Sequence, residues 1–356
     1  MINARLGKIQ NIIKSSAGDA LLIVKPENRL YVSGFTGTSA FIVITESDGY
    51  LLTDFRYIEQ ARKQASGFKV VEHGSNFLKC LKECLTKQNV KTLLFEEDYI
   101  TYGQYQSWQK GLAPIKLEPT KNIVEDLRII KDEQEIELLQ KAAEIADLSF
   151  RKVLNLIKPG MRENEIALEL EYQMRSLGAT GPSFETIIAS GMRSSLPHGV
   201  ASEKVLQAGD LVVFDFGAVY LGYHSDMSRT IMMGKATVEQ KKIYEAVLEA
   251  QTLALEAVRS GITGHDLDGV ARKHLAKYGY DRYFGHSLGH GVGLAIHEEP
   301  KVSPNSIDLI RAGMAITIEP GVYINQLGGV RIEDLVIVTE DGCKNLTRTP
   351  KDLIEL

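Results

Sequence analysis

The sequence has few cysteines, no long apolar run and no cluster of basic residues, and each absence excludes a class of protein. Three cysteines in 356 residues cannot all pair, so a disulfide scaffold is excluded. No apolar stretch approaches the roughly eighteen residues that span a bilayer, and the first residues lack the apolar core of a secretory signal. Lys and Arg number 41 against 46 Asp and Glu, which argues against a nucleic-acid partner. We expect a soluble, cytoplasmic protein that does not enter a membrane.

The length of the chain predicts two domains, since a domain usually holds about 100–200 residues. In the first part, apolar runs of strand type at 20–24, 40–44, 49–53 and 92–96 alternate with helical patterns over 57–64 and 77–86. This alternation is typical of a small α/β domain. The segment 117–128 contains a proline and mixed charge and has the composition of a linker, so the predicted domains are 1–122 and 123–356.

The second part has a different pattern. Residues 131–157 form one long amphipathic stretch that ends at a Lys-Pro-Gly helix stop signal. A second helix is predicted over 163–178, followed by strands near 185–189 and 211–219, a returning strand to about 233, and helices over 238–260 and 264–279. Strand patterns dominate again after Ala315. Because helices and hairpins mix without a regular βαβ period, the fold class of this part is predicted to be α+β.

Two segments of the second part resemble each other. Asp215 and Glu319 each follow an apolar strand and precede a glycine, and each segment leads into a returning strand that carries another acid. The second acid is Asp226 in the first segment and Glu333 in the other. Two similar hairpins with two acids each predict a duplicated half-domain with a site on its pseudo-twofold axis.

The four acids lie in strands that have the pattern of buried strands. A carboxylate there loses several kcal/mol of solvation unless it is paired or bound to a metal. A turn at 220–221 would put Asp215 opposite Asp226, and a turn at 221–222 would make them diagonal neighbours on one face. A three-residue loop would place them on different faces. Single salt bridges are the ordinary explanation for buried acids, but four acids in two matching hairpins favour a shared cationic ligand.

A neutral ligand for such a site is expected from the glycine-rich segment 284–300. It holds His286, His290 and His297, and its glycines allow the backbone to approach a ligand closely. The zinc-protease motif HExxH begins at His297 but fails at its fifth position, Lys301. Dinucleotide, P-loop and serine-hydrolase motifs are absent as well. From the residues alone, each histidine is explained equally well as a core hydrogen-bonding group.

Taken in chain order, five residues resemble the metal ligands of the pita-bread metallopeptidases, which include methionine aminopeptidase, aminopeptidase P and Xaa-Pro dipeptidase (prolidase). They are Asp215, Asp226, His290, Glu319 and Glu333. The resemblance rests on FDFG, SDMSRT, GHGVGLAIHEEP, TIEPGVY and VRIEDLV, which occur in this order. The first 120 residues resemble the creatinase-like α/β domain that aminopeptidase P and prolidase carry. The resemblance implies a pita-bread catalytic domain after that smaller domain.

The resemblance also implies two divalent metal ions per subunit. Asp215 would bind one ion, Asp226 and Glu333 would bridge both, and His290 and Glu319 would complete the second. Four carboxylates and one imidazole suit Mn²⁺, with Co²⁺, Fe²⁺ or Zn²⁺ as alternatives. In the family a hydroxide between the ions attacks the substrate, and Glu319 would carry a proton to the leaving nitrogen.

Further side chains match positions that contact substrate in the family. His198 and His297 match two histidines that hold the scissile carbonyl and stabilise its developing charge. His286 matches a third histidine near the proline position. Arg331 and Tyr323 align with residues that orient the acids, although a plain salt bridge to one acid would explain Arg331 almost as well.

The implied activity is hydrolysis of the Xaa-Pro bond in dipeptides, with short proline-containing peptides as substrates and a homodimer as the assembly. Aminopeptidase P, which acts on longer peptides, is the near alternative, because the metal ligands cannot separate the two. A dipeptidase must hold the free carboxylate of its substrate, for which Lys301 and Arg311 are candidates. A binding relative without catalysis is disfavoured by the intact ligands, and methionine aminopeptidase by the extra N-terminal domain.

Overall fold

The computed structural model of the chain describes residues 2–356. Within this range no helix is both long enough and apolar enough to cross a membrane. The chain divides after Arg128 into two compact units, whereas the sequence predicted a division after residue 122. The difference is the short helix Glu125–Arg128, which bonds to the first unit: Asn28 donates to Glu125 (2.8 Å) and accepts from Arg128 (2.7 Å).

The first unit is an α/β layer built on one sheet of six strands in the order β4-β3-β2-β1-β5-β6. Its strands are Ala20–Ile23 (β1), Ala40–Thr45 (β2), Gly49–Thr53 (β3), Lys69–Glu72 (β4), Thr92–Glu96 (β5) and Lys116–Thr120 (β6). Its helices are Ile2–Lys14 (α1), Pro26–Ser33 (α2), Ile58–Gln64 (α3), Phe77–Lys87 (α4), Tyr102–Leu112 (α5) and Glu125–Arg128 (α6). Leu81, Leu85, Trp108 and Leu112 of α4 and α5 pack in one core with the sheet. The four predicted strands and both predicted helices are confirmed.

Two strands of this sheet were not predicted. Strand β6 was assigned to the linker because it contains Pro119, yet it pairs with β5 in parallel register. It is an edge strand, and an edge strand tolerates proline because the outward N–H needs no partner in the sheet. Strand β4 is the other edge strand, and its half-exposed residues lack the apolar run that marks a central strand.

The second unit contains four long helices at the predicted places. They are Glu133–Leu154 (α7), Glu163–Ser176 (α8), Val238–Ala257 (α9) and Gly264–Ala276 (α10). Helix α7 begins where Asp132 accepts from the N–H of Glu135 (3.0 Å) and the Glu135 carboxylate accepts from the N–H of Asp132 (3.0 Å). This reciprocal cap satisfies two backbone donors at the helix start.

The strands of the second unit form two main sheets, β20-β12-β9-β8 and β14-β13-β15-β18-β19, with shorter pairings beside them. They are Gly181–Pro182 (β7), Ile187–Ser190 (β8), Leu211–Phe216 (β9), Ala218–Tyr220 (β10), Tyr223–His224 (β11), Met227–Met232 (β12), Gly289–Gly291 (β13), Glu298–Val302 (β14), Ala315–Ile318 (β15), Gly321–Ile324 (β16), Gly328–Arg331 (β17), Asp334–Val338 (β18), Cys343–Asn345 (β19) and Ile354–Glu355 (β20).

The two main sheets repeat one arrangement. Helices α7 and α8 pack with β8, β9 and β12 in one apolar core. Helices α9 and α10 pack with β15 and β18 in the other. Each half thus places two helices before a sheet that contains one of the acidic hairpins, as the internal resemblance predicted.

Candidate metal centre

The first hairpin turns at Leu221 and Gly222. Both residues have positive φ, 49° and 89°, as a tight two-residue hairpin turn requires. Tyr220 and Tyr223 of β10 and β11 pair on either side of it. In the ladder between β9 and β12, Asp215 lies opposite Ser228, so Asp226 is its diagonal neighbour on the same face. Of the three geometries that the sequence left open, the structure therefore has the turn at 221–222 with diagonal acids.

The second hairpin places its two acids directly opposite each other. The β15–β18 and β16–β17 ladders share one register, and that register pairs Glu319 with Glu333. The two hairpins then meet, because the N–H of Glu333 donates to the carbonyl of Ser228 (3.1 Å). All four acids therefore approach one another from two chain segments about a hundred residues apart in sequence.

The acids form part of the wall of a cavity of about 420 Å³. The structure brings all nine predicted site residues together there: Asp215, Asp226, His290, Glu319, Glu333, His198, His286, His297 and Arg331. Six further lining residues were not predicted from the sequence: Phe184, Glu185, Ile187, Pro197, Val200 and Ser287. These residues have no chemical pattern of their own in the sequence, so only the fold assigns them. Lys301 and Arg311 do not line the cavity.

His290 lies close to three of the acids. Its Nε2 atom is 3.6 Å from Oδ2 of Asp226 and 3.4 Å from Oε1 of Glu319. One ligand atom each from Asp226, His290 and Glu333 lie within 4.8 Å of one another. This spacing is compatible with a shared cation.

Burial and mutual repulsion raise the pKa values of the four acids in the cavity. Burial raises the pKa of Asp226 well above its usual range, and repulsion from Glu333 and Asp215 raises it further. Burial, followed by repulsion from Glu319, acts in the same direction on the pKa of Glu333. Burial also raises the pKa of Asp215, and that of Glu319 to about 8. The negative form of these acids therefore needs positive charge nearby.

Arg331 supplies one positive charge to the cavity and orients two of the acids. Its Nη2 donates to Oδ2 of Asp215 (2.6 Å) and its Nε to the hydroxyl of Ser228 (2.8 Å). Ser228 donates in turn to Oε2 of Glu333 (2.7 Å). The salt bridge considered for Arg331 is thus present. Ser228 was missed as a site residue, although its place two residues after Asp226 in a strand indicates the same face.

The histidines of the cavity differ in their surroundings. Burial lowers the pKa of His286 and of His290 to about 4, so both are neutral at pH 7. His286 Nε2 lies 2.9 Å from the hydroxyl of Tyr323, which accepts from Arg331 Nη1 (2.7 Å). His198 and His297 are exposed, and the ring of His297 lies 4.4 Å from that of His290.

The cavity fits divalent cations. Oδ1 of Asp215 is buried and has no hydrogen-bond partner within the described chain, which is costly unless another ligand is bound. Hard carboxylate oxygens with one neutral imidazole match Mn²⁺, Co²⁺ or Fe²⁺ better than a thiolate-type zinc site. Bound dications would also relieve the repulsion that raises the pKa values of the acids.

The pattern of metallopeptidase family M24 matches residues 137–340, and that of the creatinase/prolidase N-terminal domain matches residues 5–130. The chain belongs to metallopeptidase family M24. This confirms the resemblance and both predicted folds, the pita-bread domain and the smaller α/β domain before it. M24 membership also implies divalent metal ions, and the group of Asp226, His290 and Glu333 is spaced so that it could hold one.

Several proteins resemble this M24 chain over its full length. The Xaa-Pro dipeptidase of Pyrococcus horikoshii is 42% identical over 359 residues, 99% of each chain. The structure of an Xaa-Pro dipeptidase from Bacillus anthracis has a TM-score of 0.98 at 42% identity and covers 100% of both chains. That of an X-Pro aminopeptidase from Thermotoga maritima has a TM-score of 0.92 at 40% identity and covers 96% of this chain and 99% of that one.

Proposed function

We propose that this protein is an Xaa-Pro dipeptidase that works with two divalent metal ions, of which Mn²⁺ is the first choice. The observation that carries the proposal is a cavity in which four carboxylates from two hairpins approach one neutral histidine. The names of the Pyrococcus horikoshii and Bacillus anthracis relatives support the substrate class. The reaction adds water to the carbonyl carbon and breaks the bond to the proline nitrogen.

We assign the ligands as the sequence suggested. Asp215 would hold one ion through its unpartnered Oδ1, and His290 and Glu319 the other, since they lie 3.4 Å apart. Asp226 and Glu333 would contact both ions. When bound, the ions supply the Lewis acidity that lowers the pKa of the attacking water and polarises the carbonyl.

The chain's own side chains would handle the proton and the developing charge. Glu319 would accept the proton of the attacking water and deliver it to the proline nitrogen as the C–N bond breaks. Thr317 donates to Oε1 of Glu319 (3.1 Å) and so orients it. His198 and His297 would donate to the carbonyl oxygen. His286 would contact the proline side, where Tyr323 holds its Nε2 atom.

The free carboxylate of a dipeptide needs a cation beside the cavity, and Lys301 is the better of the two candidates. Lys301 pairs with His290 across β13 and β14, and opposite residues in an antiparallel pair project on one face. Its side chain is exposed and makes no ion pair among residues 2–356. Arg311 lies instead in the turn before β15, where its N–H contacts the sulfur of Met314.

The deciding experiment compares the hydrolysis of an Xaa-Pro dipeptide, its C-terminal amide and the matching Xaa-Pro-Yaa tripeptide by the Mn²⁺-loaded protein. A dipeptidase should cleave the free dipeptide fastest, because only that substrate places a carboxylate next to proline. Faster cleavage of the tripeptide would instead support an aminopeptidase, as the similarity to the Thermotoga maritima structure allows. No hydrolysis of any of them would contradict the proposal.

Lys301→Ala tests the carboxylate contact, with Arg311→Ala as its matched control. Loss of a partner for a charged substrate group should raise KM for dipeptides roughly tenfold or more. The amide should be unaffected, because it has no carboxylate to lose. An unchanged KM in Lys301→Ala, or an equal rise in Arg311→Ala, would remove Lys301 from this role.

A homodimer and a cytoplasmic location belong to the same proposal. The homodimer follows from the resemblance and the cytoplasmic location from the composition of the sequence. The three cysteines, which are all unpaired, are compatible with a reducing compartment. Light scattering on the purified protein and fractionation of cells that produce it would test the two statements.

A further inference from the structure

Two of the cavity histidines are carried by loops rather than by helices or strands. His198 is exposed and makes no side-chain hydrogen bond among residues 2–356. His286 is half-buried, with Nδ1 close to the carbonyl of Ser287 and Nε2 close to Tyr323. The place of the His198 imidazole therefore depends on its loop alone, and that of His286 on its loop together with Tyr323. Both loops are held from outside the cavity.

The loop with His198 is anchored by Glu163, a fully buried carboxylate at the start of α8. Its Oε1 accepts from the N–H and the hydroxyl of Ser190 (both 2.8 Å). Its Oε2 accepts from the N–H and the hydroxyl of Ser202 (3.1 and 2.6 Å) and from Arg193. Arg193 also donates to the carbonyl of Val200 (2.8 Å). One carboxylate thus joins both ends of the loop.

The loop with His286 is anchored from α10 in the same manner. Asp268 is fully buried and accepts from the N–H of Leu288 (3.0 Å) and from Nε of Arg272 (2.5 Å). Arg272 donates to the carbonyl of Phe284 (2.7 Å) and to that of His286 itself. Its guanidinium carbon lies 4.2 Å from the centre of the Phe284 ring.

We propose that these two ion pairs, each of a fully buried carboxylate with a half-buried arginine (Glu163 with Arg193, Asp268 with Arg272), are positioning pairs that place the two imidazoles over the substrate. None of the four residues lines the cavity. Stability alone explains such pairs poorly, because the cost of burying each carboxylate offsets much of its attraction to the arginine. Geometry explains them better, since a displacement of about 1 Å in a catalytic group can lower a rate by about 10². The proposal rests on the proposed function, because it concerns how the histidines meet a peptide.

The experiment is a crossed set of double-mutant cycles on the metal-loaded protein. Arg193→Met should lower kcat roughly tenfold with an unchanged metal content, and should have no further effect once His198 is alanine. In the His286→Ala background it should keep its full tenfold effect, because that histidine has its own anchor. Arg272→Met should show the mirror pattern, losing its effect only in the His286→Ala background.

Three results would overturn the proposal. The first is an unchanged kcat in both arginine variants. The second is an equal loss in both histidine backgrounds, which would mean general damage to the fold. The third is full activity of His198→Ala and His286→Ala, since the anchors would then have nothing to position. If the methionine variants do not fold, Arg193→Lys and Arg272→Lys keep the charge, lose the second donor to the loop carbonyl and enter the same cycles.

Amide hydrogen exchange separates this proposal from the proposed function. If the wild-type protein cleaves no Xaa-Pro peptide, the proposed function fails, and exchange still measures the anchors. Arg193→Met should then speed exchange at 196–202 and leave 284–288 unchanged, and Arg272→Met should do the reverse. Equal exchange in wild type and variants, or faster exchange at both loops in each variant, would contradict the proposal.

Discussion

The acids of the cavity need positive charge beside them, and the side chains of the cavity supply only part of it. Arg331 is the one arginine among the lining residues, and it is already bonded to Asp215. His286 and His290 are neutral at pH 7 because burial lowers the pKa of each to about 4. The acids and any bound cations therefore stabilise each other, and removing one acid should be felt first as a loss of metal.

Glu333→Gln should lower the metal content from about two ions per chain to one or none. Glutamine keeps the shape of the side chain but loses the negative charge of the carboxylate, which we propose contacts both ions. Elemental analysis after Mn²⁺ loading and desalting measures the ratio. Glu185→Gln is the matched control, because Glu185 lines the same cavity but is exposed, and it should retain both ions. A normal ratio in Glu333→Gln would exclude that residue as a ligand.

His198→Ala and His297→Ala should keep both ions and lose most of the turnover. Each side chain is exposed in the cavity, where it can reach the carbonyl oxygen, and loss of one such donor typically lowers kcat by about 10²–10³. Steady-state kinetics and elemental analysis on the same samples check both parts. Loss of metal from either variant would mean that the division into ligand and substrate histidines is wrong.

At the scale of secondary-structure elements, the first hairpin depends on a close backbone contact. Gly217 lies between Asp215 and the turn, and a Cβ atom there would lie 1.8 Å from the carbonyl oxygen of Ser225 on the returning segment. Only glycine allows the strands to approach this closely. The distance between Asp215 and Asp226 therefore depends on a residue without a side chain.

Gly217→Ala should lower the free energy of unfolding by about 1–3 kcal/mol, as insertion of an atom into a packed site does, and should weaken metal binding. Thermal unfolding and Mn²⁺ titration measure the two effects. Gly269→Ala is the control: Gly269 lies within α10, and nothing lies within 4 Å of its added Cβ. That variant should be equally or slightly more stable. Equal stability of both variants would contradict the steric argument.

At the scale of the whole molecule, the metal ions and the fold should stabilise each other in a pH-dependent way. Burial raises the pKa of Glu319 to about 8 in the folded, metal-free protein, above its value in the unfolded chain. The folded state therefore keeps a proton that the unfolded state has lost, and this stabilising contribution disappears as the pH rises through 8. Above pH 7, His286 and His290 are mostly neutral in both states and contribute little.

The metal-free protein should lose about 1 kcal/mol of unfolding free energy from Glu319 alone between pH 7 and 8.5. Asp226 and Glu333 act in the same direction, because burial raises the pKa of each. Thermal unfolding at the two pH values checks this. With Mn²⁺ bound the loss should shrink or reverse, because ligands must be deprotonated to bind. Glu319→Gln without metal should show a smaller decrease, and equal decreases would exclude Glu319 as the cause.

Local patterns were enough to predict most elements and the four acids that the cavity brings together. Helix α7 was predicted from its apolar period and the stop at residues 158–160, and the acids from charge in otherwise apolar strands. Both signals are local, because burial of a strand or a helix face is written in the spacing of a few residues. The edge strands β4 and β6 were not predicted. A strand with only one neighbour does not need an apolar run and can contain proline.

The tertiary structure decided how these residues meet. The turn at Leu221 and Gly222 makes the first two acids diagonal neighbours. A turn one residue earlier would have placed them directly opposite each other. The link from Ser228 to Glu333, and the anchoring of two loops by Glu163 and Asp268, join residues distant along the chain. Residue type alone cannot specify such contacts, because a buried carboxylate accepts from whichever donors the packed helices and sheets bring within about 3 Å of it.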